Sequence, residues 1–123
     1  MKSVLIFDDD PDILELCSLI LEAKGFKTTG ETTCNDVVSI IKEVEPDVIL
    51  MDNWIPDLGG IQATQLIKSD PLTRHIPVIF FSANNNVENL SHAAGADYHL
   101  QKPFDIAQFE NLIIQALNER VAV

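Results

Sequence analysis

Val48-Ile49-Leu50-Met51-Asp52-Asn53-Trp54-Ile55-Pro56 is the stretch on which the reading of this chain turns. A short, unbroken apolar run lifts a carboxylate to its carboxyl end, and a turn signal follows at once at Pro56. Such a run, bounded by charge, reads as a strand buried on both faces. Two other segments look built to serve the same carboxylate. Asp8-Asp9-Asp10 follows the first apolar run, Val4 to Phe7, and Lys102-Pro103 follows the last.

Between these landmarks the pattern alternates. Asp10 and Pro11 start a helix, as N-cap and first helical residue, and Gly25 is expected to end it. Phe26 to Gly30 reads as a weaker strand. Thr33 or Asn35 is expected to cap a second helix with a buried stripe at Val37, Val38, Ile40, Ile41 and Val44, stopped by Pro46. Asp47 to Met51 is the third strand, Ile61 to Lys68 the third helix, and Val78 to Phe81 the fourth strand, leading to Ser82. Val87 to Ala94 is a short fourth helix stopped by Gly95, and Asp97 to Leu100 the fifth strand. Asp105, with Gln108 three residues on, predicts a capping box for a last helix lined by Phe109, Leu112, Ile113, Ala116 and Leu117.

Strict alternation of apolar strands and amphipathic helices predicts an α/β fold, a doubly wound five-stranded parallel sheet with five helices, over a single domain spanning residues 1–123. Ligands of such folds gather at the carboxyl ends of the strands. Asp8, Asp9, Asp52, Ser82 and Lys102 all fall there.

Bulk properties narrow the function. The chain has 123 residues, 46% apolar and 22% charged, enough for a real core. Its net charge of −11 speaks against nucleic acid as a partner, because a phosphate backbone requires Lys and Arg. No apolar run approaches the ~20 residues of a membrane span. Cys17 and Cys34 lack metal-ligand spacing and read as small buried residues, reduced in the cytoplasm.

Three carboxylates brought to one spot repel one another, and a divalent ion or protonation relieves them. A hard, oxygen-preferring ion such as Mg²⁺ suits Asp8, Asp9 and Asp52. A lysine and a hydroxyl facing the same ion suit a dianionic tetrahedral group, with Asp52 as the nucleophile that accepts a phosphoryl group.

The segments Ile6-Phe7-Asp8-Asp9-Asp10-Pro11, Pro46-Asp47-Val48-Ile49-Leu50-Met51-Asp52, Pro56-Asp57-Leu58-Gly59-Gly60, Pro77-Val78-Ile79-Phe80-Phe81-Ser82-Ala83, Gly95-Ala96-Asp97 and Lys102-Pro103-Phe104 carry a resemblance. In this order and spacing the chain resembles, over essentially its whole length, the receiver domain of two-component response regulators. The resemblance implies the flavodoxin-like strand order 2-1-3-4-5. It implies phosphorylation of Asp52 by a sensor histidine kinase or a histidine phosphotransfer protein, with Mg²⁺ held by Asp8, Asp9, Asp52 and the backbone carbonyl of Trp54. It further implies Ser82 as a hydroxyl switch helped by the Ala83 amide, Lys102 paired with a phosphoryl oxygen, and a cis Lys102-Pro103 bond.

The chain departs from the commoner family pattern at three places. His99 stands where an aromatic readout residue is usual, so the switch pair here would be Ser82 and His99. The segment from Ser82 to Gly95 is shorter than usual, so the fourth helix should be reduced or displaced. Trp54 and Asn84 take the variable positions beside the phosphoryl group, where an indole could obstruct water and slow dephosphorylation.

Blander roles stand beside these. Asp10 reads as a helix cap only, Asp57 as a turn residue, and His75 and His92 as surface residues. His99 can be a plain edge-strand residue, Trp54 a loop aromatic or a partner anchor, and Lys102 a surface lysine. The expected function is a stand-alone cytoplasmic signalling switch rather than an enzyme, although it catalyses its own phosphotransfer and dephosphorylation. It would be a monomer or weak homodimer, acting on a downstream protein not named by the sequence or relaying its phosphoryl group. The alternatives are a small Mg²⁺-dependent aspartyl-phosphate phosphatase and a phosphorylation-independent receiver-like adaptor. Asn53-Trp54, with no acid two residues after Asp52, argues against the phosphatase.

Overall fold

A computed structural model describes residues 1–56 and 58–121. The expected turn residue Asp57 lies outside the described residues. Among the described residues the strands are β1 (Ser3–Phe7), β2 (Lys27–Glu31), β3 (Val48–Asp52), β4 (Val78–Ser82) and β5 (Tyr98–Gln101). The helices are α1 (Pro11–Glu22), α2 (Val37–Val44), α3 (Gly60–Ser69), α4 (Val87–Ala94) and α5 (Ile106–Val121). All strand pairs are parallel, in the order β2-β1-β3-β4-β5. Fold class and strand order are those expected.

The pleat sorts side chains onto two faces with a period of two. Val4, Ile6, Val48, Leu50, Ile79, Phe81 and Leu100 pack with Cys17 and Leu21 of α1 and Phe109 and Ile113 of α5. Leu5, Phe7, Ile49, Met51, Val78 and Phe80 pack with α2, α3 and α4 through Val37, Ile41, Ala63, Ile67, Val87 and Ala94. Burial on both faces is why β3 and β4 are apolar without alternation. β2, at the sheet edge, is half-buried, which explains its weak signal.

Helix starts differ in how they are made. Asp10 caps α1 as expected, its carboxylate accepting the Asp12 amide at 2.9 Å, with Pro11 in the first turn. The Asp105 carboxylate accepts the Gln108 amide at 3.2 Å at the start of α5. The expected cap of α2 by Thr33 or Asn35 is corrected: Asp36 is the N-cap and makes no side-chain capping bond. α1 ends at Glu22, earlier than the glycine signal, and Gly25 takes its left-handed φ of 88° in the turn that follows. α4 has eight residues and is seated against α3, β4 and β5.

The amino-terminal edge of the sheet uses a repeated device. Asp47 donates its amide to the Ser3 carbonyl and accepts the Ser3 amide on its carboxylate, each at 2.8 Å. Asp97 does the same with Val78, at 3.0 and 2.9 Å. Strand-end groups that would otherwise lack a partner are thereby satisfied. No described helix is long and apolar enough to cross a membrane.

Two expectations about stability follow. Cys17 and Cys34 are fully buried. Burial, with Asp8 nearby, pushes the Cys17 thiol up to about 12. Dithionitrobenzoate should therefore label neither cysteine in the folded protein at mildly alkaline pH and both after denaturation; prompt native labelling would contradict this. Thr64 Oγ1 is, among the described residues, the buried side-chain polar atom without a partner. Thr64→Val should raise stability by about 1 kcal/mol in urea melts, and a loss of stability would show that the hydroxyl is satisfied.

Candidate functional site

The carboxyl ends of β1, β3 and β5 meet at one charged basin. Asp8 follows Phe7 and shares the parity of Ile6, and Asp52 shares that of Leu50. β1 and β3 are register partners through Phe7 and Met51, so the next residues of the two strands, Asp8 and Asp52, face the same side of the sheet. Lys102 follows β5, where Leu100 has the same orientation. Its Nζ lies 2.7 Å from Asp8 Oδ2 and 3.0 Å from Asp52 Oδ1. The other Asp8 oxygen accepts the Asp10 amide at 2.9 Å, so both of its oxygens are engaged.

Asp8 and Asp52 are almost wholly buried, at 1% and 4% exposure, while Asp9 is exposed. One carboxylate oxygen from each of the three lies within 4.8 Å of the others. Burial is the main force pushing the Asp52 carboxyl above its ordinary range. Lys102 pulls it down, and Asp8 and Asp9 push it up again. Burial alone would lower the Lys102 ammonium, but its bonds to Asp8 and Asp52 outweigh that and raise it. Three carboxylates sharing one ammonium leave a net negative basin. An all-oxygen donor set of that charge fits a hard divalent cation such as Mg²⁺.

The remaining expected residues sit at the same edge, in different relations to the basin. Ser82 is buried at the end of β4, and its carbonyl accepts the Lys102 amide at 2.8 Å. Its Oγ accepts the Asn84 amide at 3.1 Å. Ala83 is exposed in the loop that follows. Trp54 lies in the turn after β3 and is 71% exposed. His99 is exposed on β5, in register with Phe80. The Lys102-Pro103 bond is cis, as expected. His75 and His92 are exposed and outside the cluster.

Two contacts escape a reading of the sequence. Gly60 opens α3 against the end of β3, its amide donating to the Asn53 carbonyl at 3.1 Å. A Cβ at Gly60 would lie 2.1 Å from the Asp52 carbonyl oxygen. The Gly59-Gly60 pair was the available signal, but it marks a loop and not which backbone comes close. The second is Phe81, whose ring centroid lies 4.4 Å from Lys102 Nζ. Within an apolar strand it carries no polar signature.

Comparison with known proteins agrees with this geometry. The model of the response regulator receiver domain family matches residues 4–114. The polar-differentiation response regulator DivK of Brucella ovis is 30% identical, over 96% of this chain and 98% of its own length. RcaC of Microchaete diplosiphon is 32% identical over 94% of this chain, which spans only 18% of that protein. A CheY-like response regulator receiver domain protein of Methanospirillum hungatei superposes with a TM-score of 0.89 at 27% identity, covering 99% of this chain and 98% of that one. The receiver domain of a sensor histidine kinase of Pseudomonas aeruginosa, solved with a magnesium ion coordinated in its active-site cleft, superposes with a TM-score of 0.86 at 27% identity, covering 95% and 98%.

The Gly60 contact is directly testable. Gly60→Ala must displace the backbone of Asp52 and Asn53, and should cost roughly 1–3 kcal/mol, as overpacking does. A denaturant midpoint equal to wild type would show that the close approach is not a constraint.

Proposed function

This chain is a member of the response regulator receiver domain family, and we propose that its Asp52 accepts a phosphoryl group from a sensor histidine kinase or a histidine phosphotransfer protein in a Mg²⁺-dependent reaction. The carrying observation is the convergence of Asp8, Asp52 and Lys102 at 2.7 and 3.0 Å from three separate strand ends. In this reading one Asp52 carboxylate oxygen forms a bond to phosphorus as the bond from phosphorus to the donor imidazole breaks. Lys102 is positioned to hold a phosphoryl oxygen as a point cation. Asp8, Asp9, Asp52 and the Trp54 carbonyl would hold Mg²⁺, which when bound supplies charge neutralisation for the transfer. The magnesium ion in the receiver of the Pseudomonas aeruginosa kinase supports that assignment.

Ser82 is the hydroxyl that would turn to the phosphoryl group, with the Ala83 amide beside it and His99 as the exposed reporter on β5. The output is a shifted balance between two conformations, read by another protein. The match along 98% of DivK supports reading residues 1–123 as one receiver domain. That role belongs to a cytoplasmic monomer or weak homodimer, a switch rather than a turnover enzyme.

Acetyl phosphate with Mg²⁺ should give one phosphoryl adduct by intact mass, lost on chelation of the metal and absent in Asp52→Asn. Turnover of a phosphate ester without an adduct would favour a phosphatase, and no adduct at all would favour a phosphorylation-independent adaptor.

A further inference from the structure

Phe81 is buried in β4, and nothing in the phosphoryl-transfer reading uses its ring. It is the register partner of Asp52, and its carbonyl accepts the Asn53 amide at 3.2 Å. Partners in a parallel ladder point to the same face, so the ring and the Asp52 carboxylate lie on one side of the sheet. The ring centroid is 4.4 Å from Lys102 Nζ, inside the range over which a cation is drawn to an aromatic face. An ammonium has three donors, and Asp8 and Asp52 take two. Toward Phe81 the cation meets π density rather than an oxygen.

We propose that Phe81 is a positioning residue for Lys102: its ring face steadies the ammonium between Asp8 and Asp52, and so sets how readily a divalent cation displaces it from the acids. A leucine there would stay apolar among Val4, Ile6, Leu50 and Ile79 but would offer the ammonium no ring face. The proposal rests on the reading of the acid cluster as a Mg²⁺ site, and it has a metal-free consequence that does not. A methylene held beside a ring face shows an upfield-shifted proton resonance.

Both consequences are measured on the full chain. In metal-free protein, the Lys102 ε-methylene, assigned by its loss in Lys102→Met, should resonate upfield. The shift should vanish in Phe81→Leu and persist in Phe81→Tyr. An unshifted resonance in wild type, or one unmoved in Phe81→Leu, overturns the positioning role. Mg²⁺ titration is then followed by calorimetry and by emission of Trp54, the single tryptophan, which lies two residues beyond Asp52. Phe81→Leu should bind Mg²⁺ about two- to fivefold more tightly, the weight of one cation–π contact. In the Lys102→Met background the same substitution should change nothing. Equal shifts in both backgrounds would mean that Phe81 acts by packing alone, and would overturn the control of metal affinity. A wild type that takes no Mg²⁺ would overturn the metal site and that control with it, leaving the ring–ammonium contact to the metal-free spectrum.

Discussion

One ammonium shared by two buried carboxylates is the contact on which the rest of this structure depends. Lys102 reaches Asp8 across 94 residues of chain and Asp52 across 50. A buried carboxylate without a partner costs several kcal/mol, so such groups persist only where the fold brings compensation to them. Here compensation is incomplete: the ammonium answers one of three negative charges, and burial leaves Asp52 reluctant to ionise. A basin in that state favours whatever adds positive charge. Stability and affinity for a cation are therefore opposed demands on the same few atoms.

The sheet is what makes the contact possible. Its two central neighbours, β3 and β4, are buried along their whole length, and their register sets the height at which each strand ends. The carboxylates of Asp47 and Asp97 fasten the opposite edge by closing reciprocal hydrogen bonds with Ser3 and Val78. Gly60 lets α3 begin against the backbone of Asp52 and Asn53. Side chains at the carboxyl edge thus rest on backbone held from several directions, which is the requirement for preorganised charge.

Much of this was legible from periodicity. Apolar runs ending in Asp, Ser or Lys marked the strands, and alternation with helices put those residues at one edge. The period of two even explains why Asp8 and Asp52 share a face. Less legible were features that depend on which backbone lies beside which. The α2 start misled because Thr33 and Asn35 are good caps by type, whereas the observed cap, Asp36, makes no side-chain bond. The close approach at Gly60 and the ring beneath Lys102 are tertiary contacts between residues unremarkable in their own segments. Strand limits moved by a residue because ladder bonding, not hydropathy, ends a strand. Asp52 and Ser82 are the last residues of their strands rather than the first of the loops.

The pleat also constrains how a change in the basin can travel. Phe81 and Ser82 point to opposite faces of β4, so the hydroxyl does not share the orientation that brings the ring to Lys102. Ser82 Oγ is taken by the Asn84 amide, the Asn84 side-chain oxygen by the Asn86 amide, and the Asn86 side-chain oxygen by Asn89 in α4. Gln101, the last residue of β5, binds Asn85 at the middle of that loop. A hydroxyl drawn toward Asp52 must give up the first of these bonds, and the amide it releases belongs to the residue that holds the next. These hydrogen bonds lead to the start of α4 and the end of β5, whereas His99 stands exposed on the strand. If Ser82 is the switch proposed above, coupling through these bonds would need no aromatic side chain swinging inward, only that each loop amide have one good partner at a time.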